Sequence, residues 1–198
     1  MQIIRNASYK TTPWKNGGGV THEAIRVPAG GEAFRWRVSV AQIGVAGPFS
    51  DFAGYSRTMV LLRGNGVHLR FADGRQESLR SVGDLVEFDG AGATDCELLN
   101  GPCTDLNFMV SKSISGVKTW VELINRPQFP IPASSGTTLV FAISGALSIE
   151  PQGGEAGRLE PWDLALFSPA QRAVLNPTIQ DESVPPTVFF ATLDDDSA

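Results

Sequence analysis

The chain has 198 residues, of which 42% are hydrophobic and 19% charged, and it carries a formal net charge of -5 at pH 7. This composition is typical of a soluble globular protein with one large domain or two small ones. The acidic balance argues against binding to nucleic acids or to anionic membrane surfaces. No signal-peptide core follows Met1, and no apolar stretch approaches the roughly 18 residues of a membrane span. We therefore expect a cytoplasmic protein.

Cysteine and histidine are scarce. Cys96 and Cys103 form no C-x-x-C pair, and we expect both to be buried thiols rather than a redox or catalytic pair. His22 and His68 are the only histidines, so one subunit cannot build a three-histidine metal centre. The sequence thus predicts no metal site and no cofactor.

The most distinctive segment is residues 14–23, WKNGGGVTHE. Glycine loses more backbone entropy on folding than any other residue, so three in a row are costly inside a regular strand or helix. Here they separate an indole and an amide from a hydroxyl, an imidazole and a carboxylate. Two interpretations stay open: a polar site that the backbone approaches closely, and a glycine-rich turn between two strands.

Residues 34–41 alternate with period two, which predicts a strand. The apolar face carries Phe34, Trp36, Val38 and Val40. Arg37 and Ser39 project together from the other face, where a guanidinium and a hydroxyl would suit a carboxylate ligand. The alternative is a strand edge that faces solvent.

The turn-rich loop 47–57 leads into residues 59–62, MVLL, a strand that is apolar on both faces. Arg57 shares its parity with Met59 and Leu61, so we expect its base to be partly buried. A buried guanidinium needs an anionic partner. That partner can be a protein carboxylate or a ligand.

A third polar pair lies in residues 103–109, CTDLNFM. Asp105 and Asn107 point one way, whereas Leu106 and Phe108 point the other. The pair could hydrogen-bond an amide or formyl group. It could equally satisfy Arg57 or the glycine-rich segment.

A weak internal repeat organises the chain. Residues 60–69 and 82–88 correspond to residues 140–149 and 161–167, at an offset of about 80 residues in both cases. Each unit has an apolar strand, a glycine turn, an alternating strand, and an aspartate-led turn in which we expect the aspartate to bind the amides that follow it. This predicts an all-β bicupin with very little helix, made of two tandem cupin-type jelly-roll barrels. The predicted domains are residues 1–112 and 113–198, the latter with an acidic tail at 194–198. An exchange of strands between the halves stays open.

The order and spacing of these segments resemble the HutD/Ves family. The matching pieces are residues 14–19 with Thr21 and Glu23, residues 36–39, residues 47–50 through Gly54 and Arg57, and residues 105–109. Family members of known fold are bicupins, and the family is associated with bacterial histidine utilisation. The resemblance implies a protein that binds a small acid of that pathway, such as N-formylglutamate, and restrains the pathway rather than catalysing a step.

The leading hypothesis is a non-enzymatic protein that senses a small carboxylate in a pocket of the first barrel. The predicted ligand-binding residues are Trp14, Asn16, Gly18, Thr21, Glu23, Trp36, Arg37, Ser39, Arg57, Asp105 and Asn107. One alternative is a metal-independent enzyme with Glu23 or Asp105 as base and His22 as acid. Another is a protein-interaction module that uses the second barrel. The formation of a homodimer stays open.

Overall fold

The computed structural model describes residues 1–31, 33–178 and 185–194, so most of the predicted acidic tail, residues 195–198, lies outside them. The described residues within Tyr9–Ser113 form one compact unit, and those within Met1–Ser8 and Ile114–Ala198 form the other. Within the described ranges, no helix is long and apolar enough to span a bilayer. The one helical segment found there is a 3-10 turn at Asn6–Ser8.

Residues 9–113 contain ten strands in two antiparallel sheets. Their bounds are β2 (Lys10–Pro13), β3 (Gly19–Val27), β4 (Trp36–Ile43), β5 (Gly47–Pro48), β6 (Tyr55–Arg63), β7 (Val67–Phe71), β8 (Gln76–Leu79), β9 (Leu85–Asp89), β10 (Thr94–Leu98) and β11 (Cys103–Ser111). One sheet has the order β2-β3-β4-β11-β6-β9, and the other has the order β5-β10-β7-β8.

The other unit begins with β1 (Gln2–Ile4), which pairs with a strand far along the chain. Gln2 lies opposite Leu166, and this places the first residues in the same unit as the second half of the sequence. The remaining strands are β12 (Lys118–Leu123), β13 (Phe129–Pro130), β14 (Thr137–Ser144), β15 (Ala146–Pro151), β16 (Gly157–Leu159), β17 (Leu164–Phe167), β18 (Ala173–Thr178) and β19 (Thr187–Leu193). They form sheets of order β1-β17-β14-β19-β12 and β13-β18-β15-β16.

The two units share one topology, which confirms the internal repeat. The strand order β9-β6-β11-β4 in one unit corresponds to β17-β14-β19-β12 in the other, and β5-β10-β7-β8 corresponds to β13-β18-β15-β16. Each unit also has a β-bulge at the same place, because Leu62 is the extra residue in β6 and Ile143 is the extra residue in β14. The predicted all-β fold of two jelly-roll units is therefore confirmed.

The aspartate-led turns differ from the prediction in one detail. Asp84 accepts hydrogen bonds from the amides of Arg80 and Ser81, and Asp163 accepts one from the amide of Glu160. The expectation that each aspartate binds the amides after it was wrong. The chain turns back before the strand starts, so the amides within reach of the carboxylate are the preceding ones.

Alternation along β4 buries both of its faces. Val38 and Val40 are buried on one side, and Ser39 and Ala41 are buried on the other. β4 lies between β3 and β11 in the sheet. The alternative of a solvent-facing edge is thus excluded, and the polar side of β4 faces the interior of its unit.

Both cysteines are buried free thiols, as predicted. Cys96 and Cys103 belong to the apolar cluster of residues 9–113, together with Met59, Leu61 and Leu69. Burial raises the pKa of each thiol to about 12. Both therefore stay neutral near pH 7.

Candidate functional site

A cavity of about 770 Å³ opens into the unit formed by residues 9–113. Its walls come from β2, β3, β4, β6 and β11 together with the loop 48–52. Nine of the predicted site residues line it: Trp14, Asn16, Thr21, Glu23, Arg37, Ser39, Arg57, Asp105 and Asn107. Segments far apart in the sequence thus converge on one space.

Two predicted residues lie elsewhere. Trp36 is buried but does not line the cavity, because it shares the side of β4 that carries Val38 and Val40 and not the side that carries Arg37. The expectation that Trp36 lines the pocket was therefore wrong. Gly18 lines a smaller adjoining cavity of about 230 Å³.

The glycine-rich segment is a turn between β2 and β3. The amide of Trp14 donates to the carbonyl of Gly19 over 2.9 Å, and the amide of Gly17 donates to the carbonyl of Trp14 over 3.0 Å. Gly17 has a φ of 70°, a conformation that side-chain-bearing residues rarely adopt. A Cβ on Gly19 would lie 2.4 Å from the carbonyl oxygen of Gln42 and 2.9 Å from Cε3 of Trp14. Glycine is thus needed for the turn and for close packing.

The same turn presents polar groups to the cavity. The indole Nε1 of Trp14 donates to Oγ1 of Thr21 over 2.8 Å, and Oδ1 of Asn16 accepts from the amide of Gly18 over 3.0 Å. These bonds hold the indole and the amide in the cavity wall. The segment is therefore a strand-connecting turn, as one of the two interpretations has it, and Trp14, Asn16 and Thr21 also line the cavity.

Arg57 is the most deeply buried cation of the site, with 5% of its surface exposed. Its guanidinium carbon lies 5.1 Å from the ring centre of Phe49, 5.6 Å from that of Phe52 and 4.8 Å from that of Phe88. Its Nε has no hydrogen-bond partner in the described part of the chain. Burial lowers the pKa of Arg57 to about 10, although the charge of Asp105 opposes this shift.

Arg37 stands beside it and has weak partners. Its guanidinium carbon lies 5.2 Å from the ring centre of Phe34 and 5.3 Å from that of Phe52, and Nη2 donates to Sδ of Met109 over 3.1 Å. Its Nη1 is 4.0 Å from Oε2 of Glu23, at the limit of an ion pair. Burial lowers the pKa of Arg37, and the charge of Glu23 partly offsets this.

Glu23 is instead committed to Arg26. Nη2 and Nε of Arg26 both donate to Oε2 of Glu23, over 3.0 Å and 3.2 Å, and its Nη1 donates to the carbonyl of Gly31 over 2.7 Å. This pair connects β3 with the loop at Gly31. Glu23 therefore helps to build the wall of the cavity and is poorly placed to neutralise Arg57.

Asp105 and Asn107 lie side by side on β11, with 1% and 8% of their surfaces exposed. Oδ1 of each has no hydrogen-bond partner among residues 1–31, 33–178 and 185–194. Burial raises the pKa of Asp105 to about 7, and the charge of Arg57 limits the rise. Buried polar atoms are normally paired. Two unpaired buried acceptors and an unpaired guanidinium nitrogen therefore belong to residues that line one cavity.

His22 is not a lining residue of the cavity. Its Nδ1 lies 2.9 Å from Oγ1 of Thr11 on the neighbouring strand. In the described residues, no three His, Cys, Asp or Glu side chains are grouped so that they could hold a metal ion.

Sequence reasoning missed several residues of the cavity. Phe49 and Phe52 cover the guanidinium groups, and Arg26 holds Glu23. The loop that delivers Arg57 carries both phenylalanines, so a search for aromatic rings near a buried arginine could have selected them. The spacing of Glu23 and Arg26 gives no comparable signal, because three residues apart on a strand place side chains on opposite faces unless the strand is irregular. A register shift between Glu23 and Ile25 brings them together.

The sequence profile of the HutD family matches residues 6–184. The chain belongs to the HutD family. Among curated HutD-type relatives, it is 34% identical over 165 residues to an uncharacterised 21.2 kDa protein of the hutC 3' region of Pseudomonas putida, a match that covers 82% of this chain and 84% of the relative. It is 30% identical over 132 residues to protein Ves of Escherichia fergusonii, which covers 67% of each chain. Through the gene region after which the Pseudomonas putida relative is named, the family is linked to histidine utilisation.

Solved structures share the fold over nearly the whole chain. A conserved protein of unknown function from Pseudomonas aeruginosa PAO1 has a TM-score of 0.87 at 30% identity and covers 98% of both chains. HutD from Pseudomonas fluorescens SBW25, described for a formate condition, has a TM-score of 0.77 at 26% identity and covers 98% of this chain and 99% of that one. Oxalate decarboxylase of Bacillus subtilis has a TM-score of 0.68 at 10% identity and covers 99% of this chain and 78% of that one. This last likeness concerns the fold alone, and it confirms the predicted cupin-type architecture.

Proposed function

We propose that this protein binds a small carboxylate such as N-formylglutamate in the cavity of residues 9–113, without catalysing a reaction, and thereby modulates histidine utilisation. One observation carries the proposal. The guanidinium of Arg57 is 5% exposed, lines the cavity, and keeps a nitrogen with no hydrogen-bond partner among the described residues. A ligand anion in the cavity would supply the counter-charge that Asp105 gives this guanidinium only in part.

The energetic argument starts from the cost of burying a charge. Removing a guanidinium from water costs on the order of several kcal/mol of hydration free energy, and a nearby anion is needed to offset this cost. Asp105 compensates Arg57 only in part, since its own burial favours the neutral acid. A carboxylate fits the planar fork of arginine with two parallel hydrogen bonds, which is stronger and more specific than a single contact.

The balance of charge around the cavity also favours an anion. Among the described lining residues, five are cationic and two are carboxylates: Lys10, Lys15, Arg26, Arg37 and Arg57 against Glu23 and Asp105. Clustered cations in a low-dielectric cleft concentrate the electric field and thereby attract a small anion. The phenylalanines over the guanidinium groups would cover its carbon chain, and Ser39 and Asn107 offer a hydroxyl and an amide for a second polar group.

Thermal denaturation with added ligands tests the proposal. We expect at least one of N-formylglutamate, urocanate, histidine and glutamate, at millimolar concentration, to raise the melting temperature, because a ligand that binds only the folded state stabilises it by mass action. Arg57→Met should abolish the shift. Arg70→Met is the matched control, since Arg70 is a half-exposed arginine paired with Glu97, and it should keep the shift. No stabilisation of the wild type by any of these acids would contradict the proposal.

A second candidate function rests on Asp105. A buried carboxyl with a pKa of about 7 suits a general acid or base near neutral pH. This supports a metal-independent enzyme that acts on the same kind of acid. Incubation with each acid followed by product analysis tests it: turnover that is lost in Asp105→Asn would favour the enzyme over the sensor.

A further inference from the structure

The burial of Asp105 and its unpaired oxygen are not explained by direct contact with a ligand alone. It lies on β11 directly beside the β-bulge, opposite Ala41 on β4 and Leu61 on β6. It is 1% exposed, it lines the cavity, and its Oδ1 meets no hydrogen-bond partner in the described ranges. A carboxylate buried in this way normally has its oxygens satisfied.

The charges around Asp105 are few. Arg57 lies on β6 and Arg37 lies on β4, the two strands that pair with β11. The charge of Arg57 acts on Asp105, and the charge of Arg37 acts on Arg57. Two thiols interact with it electrostatically, Cys96 from β10 and Cys103 from its own strand, and both remain neutral near pH 7. Glu23 on β3 is the other carboxylate of the cavity wall, and Arg26 already holds it. Asp105 therefore responds mainly to the charge state around Arg57.

We propose that Asp105 takes up a proton when a carboxylate binds at Arg57, and that its O–H then donates a hydrogen bond to the bound acid. The inference rests on the proposed function and adds a proton to the binding reaction. In the empty cavity, the carboxylate of Asp105 is the anion that faces Arg57. In the complex, the ligand is that anion and Asp105 is the neutral acid.

The physical reason is repulsion between two anions that would lie close together beside Arg57, because Asp105 is buried away from water. Two carboxylates that share one site cannot both stay ionised at low cost, so one of them binds a proton. The bound acid is held by the guanidinium, which favours its ionised form. Asp105 has an unpaired oxygen and is desolvated, and its pKa of about 7 means that protonation near neutral pH costs little.

This coupling makes affinity depend on pH with a definite sign. Below about pH 7 Asp105 is already protonated in the empty protein, so affinity is constant. Above it, each complex must take up a proton, so the dissociation constant rises about tenfold per pH unit. N-formylglutamate is a suitable probe, because its carboxyl groups are fully ionised from pH 6 to pH 9 and its nitrogen is acylated.

Isothermal titration calorimetry with N-formylglutamate from pH 6 to pH 9 measures both quantities. At each pH, two buffers of different ionisation enthalpy give the number of protons taken up. We expect about one proton per ligand at pH 8 and about a tenth of a proton at pH 6. Equal affinity at pH 6 and pH 9, without proton uptake, would overturn the inference and leave the proposed function intact. No binding at any pH would overturn both.

Two variants locate the proton. Asp105→Asn keeps a hydrogen-bond donor but cannot titrate, so it should bind N-formylglutamate with a dissociation constant that no longer changes with pH. Asp95→Asn changes an exposed carboxylate that does not line the cavity and should keep the wild-type slope. A slope that survives in Asp105→Asn would overturn the assignment. If Asp105→Asn does not fold, NMR can follow the carboxyl ¹³C resonance of Asp105 in the wild type, with and without N-formylglutamate. The titration of this resonance should move to higher pH on binding. An unchanged titration would overturn the inference.

Discussion

The two units share one strand order but differ in what their interiors contain. Counting from the shared bulge, Met59, Asn107 and Ser39 form one rung across β6, β11 and β4. The corresponding rung across β14, β19 and β12 consists of Val140, Phe190 and Trp120. The first rung borders a cavity of about 770 Å³, whereas the second belongs to a packed apolar core.

The difference lies in the size and polarity of a few inward side chains. Phe190 is fully buried and stacks on Trp120, with ring centres 5.2 Å apart, and Phe129 packs against the same ring. Asn107 and Ser39 occupy the matching places and are too small to fill them. At the position beside the bulge, the filled unit has Val188 where the open unit has Asp105. One unit therefore has a cavity at the place where the other has a packed apolar core.

Truncation at the matched rung should show the largest difference. Phe190→Ala removes a fully buried ring and should lower the free energy of unfolding by about 3 to 5 kcal/mol. Asn107→Ala should cost less than about 1 kcal/mol, because its Oδ1 makes no hydrogen bond within the described residues. Urea denaturation of both variants measures the contrast. Equal losses would show that the open unit is packed as tightly as the filled one.

The second effect is a pH dependence that belongs to the open unit. Burial raises the pKa of Asp105 to about 7 from 3.8, so the folded state holds this proton more tightly than the unfolded chain. The stabilisation is fully present below about pH 4 and is lost as the pH rises through 7, by about 4 kcal/mol in all. Asp105→Asn should flatten this part of the stability profile. Asp95→Asn, at an exposed position, should keep the wild-type profile, and a steep profile in Asp105→Asn would refute the prediction.

Arg57→Met should separate stability from binding. Replacing a poorly compensated buried charge by an apolar side chain of similar length is often neutral or stabilising, by about 1 to 4 kcal/mol. We expect the variant to melt at or above the wild-type temperature and yet to lose the response to carboxylates. A clear fall in melting temperature without ligand would mean that Arg57 stabilises the fold and would weaken its assignment to a ligand.

The smallest effect concerns the cavity wall. Thr21→Val removes the acceptor of the Trp14 indole bond and should cost about 0.5 to 1.5 kcal/mol. Thr12→Val is the control, because Thr12 is exposed on the neighbouring strand opposite Thr21, and it should cost less. Fluorescence-detected unfolding of both variants makes the comparison. A larger loss for Thr12→Val would contradict the role of the indole bond.

Local pattern was enough to predict the strands and the repeat, but only part of the site. Alternation in residues 34–41 placed Arg37 and Ser39 on one side, and both line the cavity. The same alternation puts Trp36 on the opposite side, so including it among the pocket residues ignored the parity of its own strand. Arg26 could not be assigned to Glu23, because the register shift in β3 that brings them together depends on pairing with β4.

By itself, the sequence determined the all-β class, the repeat and the faces of each strand, because period-two alternation and glycine turns are local properties of the backbone. Only the tertiary structure decided that β3, β4, β6 and β11 bring their polar faces to one cavity, since strand order depends on contacts between residues far apart in the chain. The same contacts bury Asp105 and Arg57 together, and that burial, which shifts the pKa values of both, is the physical basis of the proposed site.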